Sequence, residues 1–135
     1  MAKYTTAIRT SQMSQRNTDI GNGAKIRLYK GATPTDANTA LGSQTLVVEW
    51  VGASPFGAAA NGVLTMSGAP LSANAAVAMA DADNCFIRLF KADGTTVVGD
   101  FTCATSGTEF IINNKNLAVG QQVQLTGATI TAGNA

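Results

Sequence analysis

Few side chains in this chain are equipped for chemistry. Cys85 and Cys103 offer thiols, and Asp81, Asp83, Asp100 and Glu109 offer carboxylates in its second half. A pair of carboxylates facing each other across a cleft would suit general acid and base work on a glycosidic bond, but the spacing brings no pair of these acids together. Asp81-Ala-Asp-Asn84 has the closely set oxygen donors of a calcium loop, without the glycine and the distant bidentate glutamate that an EF-hand uses. Gly21-Asn-Gly23 lacks the preceding strand, the following helix and the lysine of a phosphate cradle, and reads as a hinge. The two cysteines are too few for a disulfide scaffold and match no zinc spacing, so they are expected to be buried thiols. Histidine is absent, which removes the commonest general base and zinc ligand together with every Ser-His or Cys-His arrangement. The chain reads as a non-enzyme with no cofactor, no metal and no small-molecule substrate.

The elements that would hold these residues must come from 135 residues, enough for one domain that buries most of its apolar surface without a metal or disulfide. Charged residues make up only 13%, about half the usual share, and such a surface suits close contact with other protein. The net charge of +1 is unevenly distributed. Residues 1–30 carry Lys3, Arg9, Arg16, Lys25, Arg27 and Lys30 against Asp19, giving +5, and the remainder sums to −4. A basic arm over 1–23 is therefore expected ahead of a body over 24–135, able to contact an acidic protein, a nucleic acid or a sister copy. Nucleic acid ranks low among these, because no recognition module accompanies the bases. No run of apolar residues reaches membrane-spanning length, and the first residues lack a signal peptide's apolar stretch.

From Ala24 onward, short Val-, Ile- and Leu-rich runs alternate with Gly, Asn, Asp and Pro clusters. This predicts an all-β fold: a single antiparallel β-sandwich, jelly-roll or Ig-like, of about eight strands, with an extended N-terminal arm. Strands are expected over 24–30, 43–51, 60–66, 84–91, 95–103, 108–113, 121–126 and 128–132, and residues 67–83 read either as a short helix by propensity or, in preference, as an extended crossover. Alternation sets Leu46, Val48 and Trp50 on one face, with Trp50 a core anchor. Ala92-Asp-Gly94 fits a hairpin turn closed by a left-handed glycine. Its register pairs Lys91 with Thr95, sets Cys85 opposite Phe101, and puts Ile87, Leu89, Val97, Phe101 and Cys103 on one face, leaving the cysteines as diagonal neighbours.

Ile26-Arg-Leu-Tyr-Lys30 returns almost unchanged as Ile87-Arg-Leu-Phe-Lys91. Either two halves of one sheet protein share a strand design, or two strands have converged on one alternation. The face opposite the core then shows Arg27 and Tyr29 on one copy, and Phe86, Arg88 and Phe90 on the other. Aromatics and arginine are enriched where proteins bury surface against partners. With Arg9 and Arg16 of the arm these residues form the candidate protein interface, unless the arm or the Ala-rich segment covers them within the chain.

Gly23-Ala-Lys-Ile-Arg-Leu-Tyr-Lys-Gly31, Ala60-Asn-Gly-Val-Leu-Thr65, Phe90-Lys-Ala-Asp-Gly-Thr-Thr-Val-Val98 and Ala128-Thr-Ile-Thr-Ala-Gly-Asn134 resemble small β-rich virion proteins of tailed bacteriophages, among them capsid decoration, or cement, proteins. The resemblance spans nearly the whole body and carries no catalytic residue. It implies a place on the virion's capsid surface and the major capsid protein as partner; the missing signal-peptide pattern adds synthesis in the host cytoplasm, and the low-charge surface suits a homo-oligomer, trimer or dimer with exchanged arms. The resemblance also implies an amphipathic N-terminal helix, from which residues 1–23 depart. A tail, baseplate or fibre module that binds other tail proteins or a host surface glycan is the alternative.

Overall fold

The two copies of the repeated strand lie side by side. In the computed structural model, which describes residues 3–131, β1 (Lys25–Lys30) pairs antiparallel with β6 (Cys85–Phe90), matching Ile26 with Leu89, Arg27 with Arg88, Leu28 with Ile87 and Tyr29 with Phe86. Alternation then sends Ile26, Leu28, Ile87 and Leu89 to the main core and the aromatics and arginines to the other face. β2 (Thr45–Val51) flanks β1, and β7 (Val97–Ala104) flanks β6.

The order β2-β1-β6-β7 continues through β8 (Phe110–Ile112) and β9 (Gln122–Thr131) to β4 (Val63–Met66) and β3 (Gly57–Ala60), while β5 (Leu71–Asn74) pairs with β9. The all-β expectation is met apart from one helix, but the sheet is one curled, mixed half-barrel, because β7 and β8 run parallel. Trp50, 1% exposed, anchors the core as expected, and its indole N–H donates to the Val123 carbonyl across the curl. The Ala76 N–H donates to the Val47 carbonyl, tying the segment after β5 to the outer side of β2. Residues 67–83 form no helix: Leu71–Asn74 are a strand, Met79, buried, bridges to Leu117, bends and turns link these pieces, and Val77 packs on the core.

The arm expected over 1–23 is not extended: Thr6–Ile20 form α1. The Thr5 side chain caps its start by accepting from the Ile8 N–H, and Gly21, with φ +78°, ends it. Met13 and Ile20, two turns apart, are buried on one face. The remaining attachment is polar. Asn17 Nδ2 donates to the Gly57 carbonyl and its Oδ1 accepts from the Gly57 N–H, while the Gly62 N–H donates to Thr10 Oγ1. Those bonds cover the outer edge of β3, which would otherwise present unpaired backbone groups. A Cβ at Gly57 would lie 2.1 Å from the Thr65 carbonyl oxygen, so only glycine allows β3 this close to β4.

Three registers differ from expectation. The single strand expected over 60–66 is the second half of a hairpin, β3–β4, turned at Asn61 and Gly62, whose φ angles of 52° and 76° are both left-handed. In β2 a bulge skips Val47, since Leu28 pairs with Val48 but Tyr29 with Leu46. Val47 and Val48 are consequently both buried, and Leu46 is turned out, 37% exposed. In the β6–β7 hairpin Lys91 pairs with Thr96 rather than Thr95, because Asp93 Oδ1 accepts from both the Thr95 and Thr96 N–H groups and adds a residue to the loop. A bulge between Leu89 and Phe90 adds another. Together they restore the parity of the ladder, so Ile87, Leu89, Phe101 and Cys103 keep the core face, while Val97 joins the opposite cluster. The expected strands 121–126 and 128–132 are the single β9, and residue 132 lies outside the described residues.

Two outcomes follow from these local arrangements. Met13→Ala opens a void under α1 and lowers unfolding free energy by about 2–5 kcal/mol, whereas exposed Gln12→Ala stays within about 0.5 kcal/mol; urea unfolding measures both. Asp93 is held down to about 2 by hydrogen bonds from Thr96 and Thr95. A folded-state value below the ordinary carboxylate range means the charge stabilises the hairpin above about pH 4 and that this contribution is lost as pH falls through the folded value. The stability advantage of wild type over Asp93→Asn, read from thermal melts, is therefore present at pH 7, shrinks below about pH 4 and is mostly lost by pH 2.

Candidate functional site

The face singled out in the sequence is real, and its central row is electrostatic. Glu49 pairs with Arg27, Arg27 with Arg88, and Arg88 with Asp100, so four adjacent strands carry a row of charges in the order minus, plus, plus, minus. Arg27 Nε bonds Glu49 at 2.5 Å. Arg88 grips Asp100 through two parallel bonds, Nε to Oδ1 at 2.6 Å and Nη2 to Oδ2 at 2.8 Å. Each guanidinium also donates to a backbone carbonyl, Arg27 to Gly94 and Arg88 to Thr39. The hydrogen bond from Arg88 to Asp100 outweighs the effect of burial and raises the guanidinium's pKa. Burial acts against the charge of Arg27, yet the bond to Glu49 and its charge prevail and raise it too.

Aromatics lie on both sides of the charges, Tyr29 with Phe86 on one and Phe90 on the other. Tyr29 stacks on Phe86 with centroids 5.7 Å apart, and the Arg27 guanidinium sits 4.5 Å above the Phe90 ring. These aromatics form a cluster of their own with Leu41 and Val97.

As a partner interface, however, this face is already occupied. Phe86 is 1%, Arg88 2%, Phe90 6% and Tyr29 7% exposed, and Arg27 is half-buried. What covers them is neither the arm nor the Ala-rich segment but the loop 31–44, through Leu41 and the Thr39 carbonyl, with the Gly94 turn over Arg27. The physical reason is that Arg88, buried with one acid, still has donors to satisfy, and the loop's backbone satisfies one. Replacing Phe86 by Ser would therefore damage the fold itself instead of releasing a partner from an intact body.

The two arm residues lie elsewhere, on α1. Arg9 is half-buried against the Asn61-Gly62 turn, with Nη2 donating to Thr6 Oγ1 and a buried Nε that has no partner. Arg16 is exposed at the mouth of a cavity of about 350 Å³. Ile20, Val97, Val98, Phe101 and Ile130 form the apolar floor, and Arg16, Lys91 and Asp19 stand at the rim. Asp19 accepts from Gln15 Nε2, and among the described residues neither Arg16 nor Lys91 makes an ion pair. Sequence reasoning found Arg16 but missed Lys91 and the floor, because three separate elements converge there.

Three of the four acids singled out in the sequence are engaged within the fold. Asp100 is committed to Arg88, Glu109 accepts from the Thr102 N–H and hydroxyl, and Asp83 accepts from the Ala80 N–H. Among the described residues no cluster of His, Cys, Asp and Glu could hold a metal ion. No protein family, curated protein or solved structure matches this chain.

The charge row yields a double-mutant test. Asp100→Ala leaves Arg88 buried beside an empty site and costs about 3–5 kcal/mol, whereas the double replacement Arg88→Met with Asp100→Leu recovers most of that loss. Chemical denaturation of the two variants should show the single change as the less stable.

Proposed function

We propose that this protein is a bacteriophage capsid decoration protein that sits on the outer surface of the head, in contact with the major capsid protein and with copies of itself, and stabilises the shell. The reading rests first on the likeness of its strand phrases to small virion proteins. Three of them lie on described elements in the same order: β1, the β3–β4 hairpin and the β6–β7 hairpin. The fourth starts within β9 and runs past the described residues. In this reading the curled sheet serves as the two layers of a sandwich, β2-β1-β6-β7 facing β8-β9, with Trp50 reaching across to Val123.

The observation that carries attachment is the apolar socket beside α1, whose rim holds two cations, Arg16 and Lys91, and one acid, Asp19, which is engaged by Gln15. An apolar side chain presented by an acidic segment of the capsid protein would fill the floor and meet Arg16 and Lys91 at the rim. A buried anchor surrounded by complementary charge is how small interfaces gain both affinity and orientation. Contacts made only with the assembled shell stabilise that state, and many copies multiply the effect.

Co-sedimentation with phage heads stripped of accessory proteins, and separately with intact tails, tests the assignment. Wild type should bind heads saturably and in many copies, and Arg16→Glu with Lys91→Glu should weaken binding at least about tenfold while melting normally. Undiminished binding by the variant would remove the socket from the interface. Attachment to tails alone would favour a tail, baseplate or fibre module, and attachment to neither would sink the virion reading.

A further inference from the structure

The far end of the β6–β7 hairpin brings the two cysteines together. Along this ladder Phe86 faces Thr102, Ile87 faces Phe101 and Arg88 faces Asp100, and the next pair outward is Cys85 with Cys103. Cys85 Sγ donates to the Cys103 carbonyl at 3.4 Å, and both side chains lie on the core face. Both thiols are free. The expectation of diagonal neighbours is thus corrected by the two added residues in the loop and bulge, which move Cys103 from beside Cys85's partner to directly opposite it. Facing residues of an antiparallel pair have Cα atoms about 4.5–5.5 Å apart, within the span that a disulfide bridges.

We propose that Cys85 and Cys103 are a modification site, a cross-strand dithiol that closes to a disulfide in the folded protein when the chain meets an oxidising disulfide. This inference does not rest on the proposed function. The roles of the two sulfurs differ. Cys85 is half-exposed and Cys103 is buried. A side-chain hydrogen bond from the Cys103 thiol to the Cys85 sulfur outweighs burial at Cys85 and lowers its thiol to about 7, helped by Lys115, whereas donating that bond, together with burial, pushes Cys103 up. Cys85 is therefore the attacking thiolate and Cys103 the resolving thiol.

In the first step the Cys85 thiolate bonds to one sulfur of the external disulfide, whose S–S bond breaks and expels a thiolate. In the second, Cys103 loses its proton to solvent and attacks Cys85 Sγ, expelling the other half as thiolate. Both expelled thiolates take up protons, so the external disulfide gains the two electrons that the protein dithiol loses. Because Cys103 gives up its proton reluctantly, the second step is the slower, and a mixed disulfide on Cys85 precedes closure.

The test incubates the full chain with oxidised glutathione at pH 8 and follows intact mass. Wild type should pass through a single glutathione adduct on Cys85 and end as a monomer two hydrogens lighter than the reduced chain. Cys103→Ser should stop at the adduct, and Cys85→Ser should not react on the same timescale. Closure should proceed at the same rate, within about twofold, in urea too dilute to unfold the protein. A wild-type chain that remains at the adduct, couples only to a second chain or does not react would overturn the proposal. So would a closure rate that climbs steeply with urea, since the thiols would then meet only on unfolding.

Discussion

Two arginines placed directly opposite each other on adjacent strands set the terms for the rest of this fold. Arg27 and Arg88 face one another because the same strand sequence is used twice and paired with itself antiparallel. Like charges in that position destabilise a sheet. The arrangement survives because each arginine finds an acid one strand further out, Glu49 for Arg27 and Asp100 for Arg88, and a backbone carbonyl above it. The echo is therefore more than repeated spelling: each copy has the same pair of supports, an acid and a backbone carbonyl, drawn from different segments. The row also locks the register of four strands. A slip of one residue would drive both guanidiniums into the layer of Ile26, Leu28, Ile87 and Leu89.

The same row explains what was legible in the sequence and what was not. Alternation alone separated the aliphatic face of β1 and β6 from the aromatic and cationic face, and that division holds residue by residue. Trp50 as a core anchor and the left-handed Gly94 were also readable, because each follows from a local rule, alternation in one case and turn geometry in the other. Whether the second face met a partner or its own chain could not be read from those residues. That depends on a long-range bond, Arg88 to the carbonyl of Thr39, and a backbone acceptor leaves no mark in side-chain pattern. The socket was hidden for a related reason, since Ile20, Phe101 and Ile130 come from elements far apart in the chain.

The helix escaped notice on different grounds. Helices are usually recognised by an apolar stripe, but α1 buries only Met13 and Ile20 and holds its place through Asn17 and Thr10, which look like solvent-facing residues. Its signals were its ends, Thr5 and Gly21, together with Asn61-Gly62, a short hairpin cue that creates the edge α1 covers. Helix and hairpin need one another. Without α1, the backbone groups of Gly57 lose Asn17, and without the close β3–β4 approach that Gly57 permits, α1 has no flat surface on which to rest.

Restraint is unevenly spread along the β6–β7 hairpin, and this asymmetry links its structure to its chemistry. At the turn, Asp93 fastens Thr95 and Thr96 while Arg27 holds the Gly94 carbonyl. Midway, the buried Arg88–Asp100 pair clamps the two strands. At the open end the strands' facing residues Cys85 and Cys103 are held by thiol hydrogen bonds, among them the Cys85 thiol donating to the Cys103 carbonyl, which are weak. A covalent bond there would fasten the one end that polar contacts leave lightly held, without disturbing the turn or the charge row. Because both sulfurs already lie on the core face in facing positions, closure asks little movement of the backbone. The register that brings the acids to the arginines is the same register that brings the thiols together, so one set of strand pairings determines both.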